Sequence, residues 1–291
     1  MRGISGVRRV LSVLAGATAL AAATAAVPTT AAAAAVPTFD HIVLVMFENQ
    51  GYDNIIGSSD APTFNRLANG GALFTDSHAI THPSEPNYIA LFSGDTQGVT
   101  DDSCPNDFTG VDNLGNQLIT SGRKFVGYSE SMPNAGYTGC SGANGLYRRK
   151  HNGWVNFDNV PAEANQPYSA FPSDFSQLPT VSFVSPNMCN DIHDCPVATG
   201  DTWLQQNLAG YADWAKANNS LLVITFDEDE GTDVNRIPTI FYGANVHTGQ
   251  YDEQINHYSV LRTIEDAYGL PALANAGGAA AVTDVWGPGL R

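Results

Sequence analysis

Positive charge is scarce in this chain: 13 Lys and Arg stand against 29 Asp and Glu, a formal net charge of −16, and only 14% of the 291 residues are charged at all. A protein that holds a nucleic-acid backbone needs a basic footprint, so nucleic acid is excluded as the expected partner. Cysteine is nearly absent, with four in all, and no C-x-x-C or Cys/His spacing suggests structural zinc. Beyond residue 35 no stretch approaches the roughly 18 apolar residues that cross a bilayer, so no transmembrane segment is expected there. Internal repeats and low-complexity linkers are missing too. So are a G-x-S-x-G elbow, an H-E-x-x-H helix and a Walker loop, which removes lipases, metalloproteases and nucleotidases of those types. What is present, 43% hydrophobic and 10% aromatic residues, is enough for one large single-core domain or two small ones.

The first 35 residues are a different kind of sequence. Arg2, Arg8 and Arg9 precede the apolar run Val10 to Ala26, and Ala-rich stretches offer A-x-A sites near Ala26 and Ala35. That is the layout of a secretory signal over residues 1–35, which leaves 38–291 as the folded domain of a secreted, extracellular protein. The Arg8-Arg9 pair leaves the export route open. Without the three arginines the chain keeps 10 basic side chains against 29 acidic ones, a net −19. Four cysteines in an exported chain favour two disulfides, and three pairings are formally possible. Cys189 with Cys195 would staple a short loop, which favours Cys104 with Cys140 as the other pair.

Short apolar runs alternate with amphipathic stretches along the rest of the chain. His41 to Phe47, Phe125 to Tyr128, Thr180 to Val184, Leu221 to Phe226 and Ile237 to Tyr242 read as strands. Helices are expected after Asp60-Ala61-Pro62, with Phe64, Leu67 and Ala68 on one face; around Leu114, Leu118 and Ile119; over Gly200 to Asn218; and over Tyr258 to Tyr268. Alternation of this kind predicts an α/β fold, a mostly parallel central sheet sandwiched by helices. The long stretches Asp95 to Asn113 and Met132 to Asn165 read as excursions of that one domain, of the sort that carry function.

Ligands of open parallel sheets bind at the carboxyl ends of the strands. There the chain places Glu48-Asn49, directly after the first strand, and Asp227-Glu228, directly after the strand Leu221 to Phe226. Three carboxylates and an amide oxygen on one edge repel one another unless a cation sits between them. An all-oxygen set suits Mg, Ca or Mn better than Zn. Between these pairs lies Ser84, read as the N-cap of a helix that Gly94 ends. A hydroxyl at that position sits beside free backbone N–H groups, where a phosphate is stabilised, and a cation on the same oxygen would make it a nucleophile. The bland reading is a capped helix beside ordinary loop acids.

These residues resemble a known family. Glu48-Asn49 after a His-Ile-Val-Leu-Val-Met strand, the run Thr81-His82-Pro83-Ser84-Glu85-Pro86-Asn87-Tyr88, and Asp227-Glu228 after an Ile-Thr-Phe strand are similar to the phosphoesterase family of acid phosphatases and bacterial phospholipases C, within the alkaline phosphatase superfamily. The secreted acid phosphatases of mycobacteria in particular share Arg149-Lys150-His151, Trp154 to Phe157, and the segment holding Asp191, His193, Asp194 and Gly200 to Leu204. The resemblance implies an alkaline-phosphatase-like fold over nearly all of residues 38–291, with Ser84 as nucleophile and Glu48, Asn49, Ser84, Asp227 and Glu228 as ligands of a divalent metal ion. The chain departs from the family at Gln50-Gly51, where a basic residue usually follows Glu-Asn, and in having Asp-Glu where some members have Asp-Asp.

The residues and the resemblance together predict an acid phosphatase acting on small phosphate monoesters through a phosphoserine. His193 and His257 are the expected proton donors to the leaving group or holders of a phosphate oxygen, jobs that suit an imidazole. Asn87, Lys150, His151 and Asp194 are the expected substrate contacts, with Arg148 and Arg149 as further local positive charge. His82 is a candidate for shaping the site, whereas His41 and His247 read as structural. Two alternatives stand: a phosphodiesterase or phospholipase C on the same site, for which the chain has little room for a lipid-binding module, and a non-catalytic exported binding protein.

Overall fold

A computed structural model of the chain describes residues 35–142 and 144–287, with isolated positions 1, 3 and 6. Apart from those three positions and Ala35, the expected signal segment lies outside the described residues. The strand that organises the rest is β1, His41–Phe47, seven residues buried but for the first. In a strand, successive side chains face opposite sides. Ile42, Leu44 and Met46 accordingly join one apolar cluster and Val43, Val45 and Phe47 the other.

Among the described residues, eight strands form one sheet in the order β4-β3-β5-β1-β6-β7-β2-β8. They are β2 (Ala72–His78), β3 (Phe125–Ser129), β4 (Asn165–Pro167), β5 (Val181–Ser185), β6 (Ser220–Phe226), β7 (Thr239–Gly243) and β8 (Gly249–Asn256), with β1 between β5 and β6. Only β7 runs against the others: it pairs antiparallel with both β6 and β2, while the remaining pairs are parallel. One face is covered by α3 (Ser84–Ser93), α4 (Leu114–Thr120) and α7 (His257–Tyr268), the other by α2 (Pro62–Gly70), α5 (Val197–Asn207) and α6 (Ala209–Ala217). A short α1 (Tyr52–Ile55) follows β1. No helix of the described residues is long and apolar enough to cross a membrane.

The expected mostly parallel sheet between helical layers is present, with local differences. The helix expected over Gly200 to Asn218 is two helices that meet at Leu208. Strands β2, β4 and β8 were not expected; Gly249–Asn256 shows only the alternating exposure of an edge. Asp60 does not cap α2, whose N-cap is Ala61 without a side-chain bond. The carboxylate of Asp201, from α5, accepts from Thr63 N at 2.7 Å and Phe64 N at 3.0 Å instead. Orphan donors at a helix start need a partner, and tertiary packing supplied one that local sequence could not show.

Helix α3 is buried on every side, because it lies between the sheet and the long excursions. It ends at Gly94, whose φ of 75° is left-handed and whose missing Cβ would sit 2.2 Å from the carbonyl oxygen of Leu273. Glycine is required there on both counts. Two disulfides, Cys104–Cys140 and Cys189–Cys195, tie the excursions down. The first joins the 95–113 stretch to the 132–165 stretch; the second closes a loop with a sequence separation of 6 just after β5.

Glu265 of α7 is fully buried, accepts from Leu273 N at 2.8 Å through Oε1, and leaves Oε2 without a partner. Burial pushes its pKa up to about 7 from an ordinary 4.5. The unfolded chain therefore sheds this proton at lower pH than the folded chain, so the associated stability is intact below pH ~4.5 and is lost as pH rises through ~7. Glu265→Gln, which mimics the protonated acid, should raise the thermal midpoint relative to the parent. The gain should be small near pH 4.5 and grow toward pH 7 in paired calorimetric melts.

Candidate active site

The carboxyl ends of β1, β2, β5 and β6 all lie on one edge of the sheet, and each delivers part of a single cluster. β1 runs directly into Glu48 and Asn49, and β6 into Asp227 and Glu228. Two backbone bonds continue the ladder past the strand ends, Asp227 N to Phe47 O at 2.9 Å and Glu48 N to Asp191 O at 2.8 Å. Asn49 adopts φ 55°, a left-handed conformation that asparagine tolerates, and its N–H donates to Asp227 Oδ1 at 3.0 Å. The turn after β2 brings in α3, and Ser84 with it.

Ser84 is not the N-cap of α3 but its first residue, after Pro83. Its hydroxyl is therefore free of capping duty. It lies 3.0 Å from Glu48 Oε2 and 3.2 Å from Glu228 Oε1. Glu48 is fully buried; its Oε2 also accepts from Asn49 Nδ2 at 3.2 Å, and its Oε1 from the Tyr88 hydroxyl at 2.5 Å. Asp227 is fully buried as well, with Oδ2 unpartnered. Glu48, Asn49, Ser84, Asp227 and Glu228, far apart in the chain, thus gather at one edge. The free N–H groups expected at the start of α3 are partly engaged, since Glu85 N donates to Asp102 Oδ1 at 3.0 Å.

The electrostatics of this cluster are unbalanced. Burial, then the charges of Asp227 and Asp191, hold the Glu48 carboxyl well above the usual carboxylate range. Burial likewise raises Asp227, and burial with Asp227 pushes Glu228 up to about 7. The nearby cations are already matched: Lys150 Nζ meets Asp102 Oδ2 at 2.7 Å, and Arg149 is buried against Asp107, Asn156 and three backbone carbonyls. Arg149 is therefore structural, contrary to expectation. An oxygen-only donor set with one orphaned carboxylate oxygen, and with His82 against Glu228 at the rim as its ion-pair partner, fits a hard divalent cation.

The histidines divide. His151 is buried, stacked on Tyr88 with 5.4 Å between ring centroids, and its Nδ1 pairs with Asp191 Oδ2 at 3.0 Å. Its Nε2 lies 3.2 Å from Glu48 Oε1. Burial and then Lys150 pull its pKa down to about 3, so the ring is neutral. His193 stays partly open to solvent, with Nδ1 held by Asp194 Oδ1 at 2.8 Å. Asp194, expected to touch substrate, meets that imidazole instead. His82 sits at the rim, bonded to Glu228 Oε2 and to Thr232 O at 3.0 Å.

Two expectations do not fit the geometry. His257 is fully buried at the start of α7, and its Nε2 donates to the backbone oxygen of Asp227 at 2.8 Å. Closed off in that way, it holds the end of β6 and has no path to a leaving group. Asn87, expected on a phosphate, is also fully buried. Its Oδ1 accepts from Ile80 N and Thr81 N, at 3.0 and 3.1 Å, and its Nδ2 donates to Thr81 O and Pro83 O, at 2.8 and 3.1 Å. All of its polar capacity goes into shaping the turn that seats Ser84. Sequence reasoning gave no role to Tyr88, Asp102 or Asp191. Tyr88 lies four residues after Ser84, one helical turn along the same face, a spacing that points at the same target.

The fold is that of the alkaline phosphatase superfamily. A protein of that superfamily from Vibrio parahaemolyticus superposes with a TM-score of 0.58 at 12% identity, over 87% of this chain and 74% of that one. The phosphonate monoester hydrolase of Agrobacterium radiobacter gives 0.52 at 14% identity, over 80% and 74%. The chain belongs to the phosphoesterase family, whose model matches residues 58–271. It is 50% identical to a phosphatidylinositol-3-phosphatase of Mycobacterium tuberculosis, over 98% of this chain and 97% of that one. An acid phosphatase of Aspergillus fumigatus is 31% identical over 81% of this chain, which spans 56% of the fungal protein's length.

Asn87→Ala should lower stability by about 1–3 kcal/mol in urea melts, because four half-buried backbone groups lose the buried side chain that pairs them. A substrate contact would instead leave the melt unchanged.

Proposed function

We propose that this protein is an exported phosphomonoesterase that works through a phosphoserine at Ser84. One observation carries the reading: a single hydroxyl at the start of a buried helix lies within 3.2 Å of carboxylates from two different strand ends. A serine placed so among acids is useless for capping but well placed for deprotonation. Membership of a family with acid phosphatases among its relatives supports the reaction class. Two disulfides and no free cysteine support export.

Ser84 Oγ attacks phosphorus in line, and its proton passes to the adjoining carboxylates. As the Oγ–P bond forms, the bond from phosphorus to the alcohol oxygen breaks, and His193, steadied by Asp194, delivers a proton to that oxygen. Water then attacks the phosphoserine and gives up a proton to the same imidazole; as the new P–O bond forms the Oγ–P bond breaks, phosphate is released, and the adjoining carboxylates return the proton to Ser84 Oγ. Lys150, whose stem is half-buried and whose head is held by Asp102, and the neutral His151 face the phosphoryl group. Glu48, Asn49, Ser84, Asp227 and Glu228 would hold a divalent cation, Mg, Ca or Mn ahead of Zn, which when bound polarises the phosphoryl group and lowers the pKa of the Ser84 hydroxyl. His257, Asn87 and Tyr88 act at one remove, by fixing Asp227, the 80–83 turn and Glu48.

The substrate class is a phosphate monoester. Identity to a phosphatidylinositol-3-phosphatase along nearly the whole of both chains puts a phosphoinositide first in the test panel. Phosphate release should be seen from at least one monoester and not from matched diesters, and the opposite preference would favour the phospholipase C reading. Ser84→Ala should cut kcat by 10³-fold or more with an unchanged melting curve, in keeping with the loss of a nucleophile. Dialysis against a chelator should lower kcat, with recovery on adding Mg, Ca or Mn, followed alongside metal content.

A further inference from the structure

The oxygen cluster has a neighbour with a different chemistry. Donor atoms of Glu48, His151 and His193 lie within 4.8 Å of one another. Each imidazole has its Nδ1 tied to its own aspartate, His151 to Asp191 at 3.0 Å and His193 to Asp194 at 2.8 Å. A ring that donates through Nδ1 keeps a lone pair on Nε2, and a carboxylate behind each imidazole is the support that metal-bound histidines characteristically have. The Nε2 of His151 is buried and has no hydrogen-bond partner, although Glu48 Oε1 is 3.2 Å away. With Nδ1 as the donor to Asp191, two lone pairs would face each other at that range, and they repel unless something positive lies between them. Bond lengths of about 2.0–2.2 Å from a metal to imidazole nitrogen and carboxylate oxygen are compatible with such a separation. The loop that brings in Asp191, His193 and Asp194 is closed by the Cys189–Cys195 disulfide, so the donors are presented on a short tether.

We propose that Glu48 Oε1, His151 Nε2 and His193 Nε2 form a second cation site, distinct from the all-oxygen cluster, which takes a borderline divalent metal such as Zn and thereby inhibits the enzyme. Imidazole nitrogens select Zn over Mg and Ca, which keep to oxygen donors. The two sites share Glu48 through different oxygens: Oε2 faces Ser84 and Asn49, while Oε1 faces His151. The inhibitory half rests on the role given to His193 above. A metal on its Nε2 occupies the lone pair through which the proton would reach the leaving oxygen. The binding half stands without any assumption about turnover.

The test is a titration of the metal-free protein with Zn²⁺ in a large excess of Mg²⁺, read by competition with a chromogenic chelator. All four cysteines are in disulfides, so no thiolate competes. The expected result is one Zn bound under these conditions, with affinity at least tenfold weaker in His193→Ala. His193 is partly exposed, so this variant should keep the parental melting curve. X-ray absorption of the Zn-loaded protein should count two imidazole ligands in the parent and one in His193→Ala. Equal affinity in the two proteins, no Zn uptake by the parent, or fewer than two imidazoles on the metal would overturn the site. The same titration on Ser84→Ala, read without turnover, separates it from the phosphatase reading, which fails on its own if no monoester releases phosphate. Zn should also inhibit the Mg-supplied parent in the range where it binds, and full activity with Zn bound would remove the inhibitory half.

Discussion

Three buried carboxylates brought to within reach of one hydroxyl set the terms for everything around them. Two unit charges about 4 Å apart repel by about 4 kcal/mol even at an effective dielectric near 20, a large part of the roughly 5–15 kcal/mol that holds a domain folded. Such a cluster persists only if the scaffold is rigid and if protons or a cation offset the charge. The scaffold is the centre of the sheet: β1 and β6 are paired along their whole length, and the bond from Asp227 N to Phe47 O carries that register past the strand ends. Burial holds Glu48, Asp227 and Glu228 above the ordinary carboxylate range, the direction expected of carboxylates that the protein alone does not neutralise.

The rest of the site is assembled by elements that reach across to this pair of strands. Helix α7 braces the end of β6 through His257, α3 brings Tyr88 onto Glu48 as well as Ser84, and the loop after β5 holds the backbone of Glu48 through Asp191. Asp191 alone touches Glu48, His151 and His193. The outer half of the site is built from loops, and the two disulfides stand in for the packing that loops lack. Cys104–Cys140 joins the stretch bearing Asp102 to the stretch before Lys150, and the resulting ion pair bridges both. Positive charge in this strongly acidic protein is thus kept local and matched.

Much of the fold was legible because it rests on local rules. Apolar runs with turn residues at their ends marked five of the eight strands, and Gly94 and Gly269 marked helix ends where the backbone is left-handed. The parts that were missed depend on partners distant in the chain. β8 pairs with β2 at an edge and carries polar side chains on alternate positions, so no apolar run announces it. α2 is capped by Asp201, more than a hundred residues on, and α5 and α6 divide at Leu208, where the only breaker nearby is Gly210 in the first turn of α6.

Residue types at strand ends were enough to say that Glu48, Asn49, Asp227 and Glu228 belong together and that Ser84 starts a helix near them, because strand direction alone determines which edge a following residue occupies. The identity of each polar partner was not contained in that pattern. Asn87 and His257 look chemically competent in the chain and are closed off by backbone bonds in the fold, whereas Tyr88 and Asp191 look ordinary and lie at the centre. Hydrogen bonding is short-ranged and directional, so which atom of a side chain stays free is decided only when the chain has folded around it.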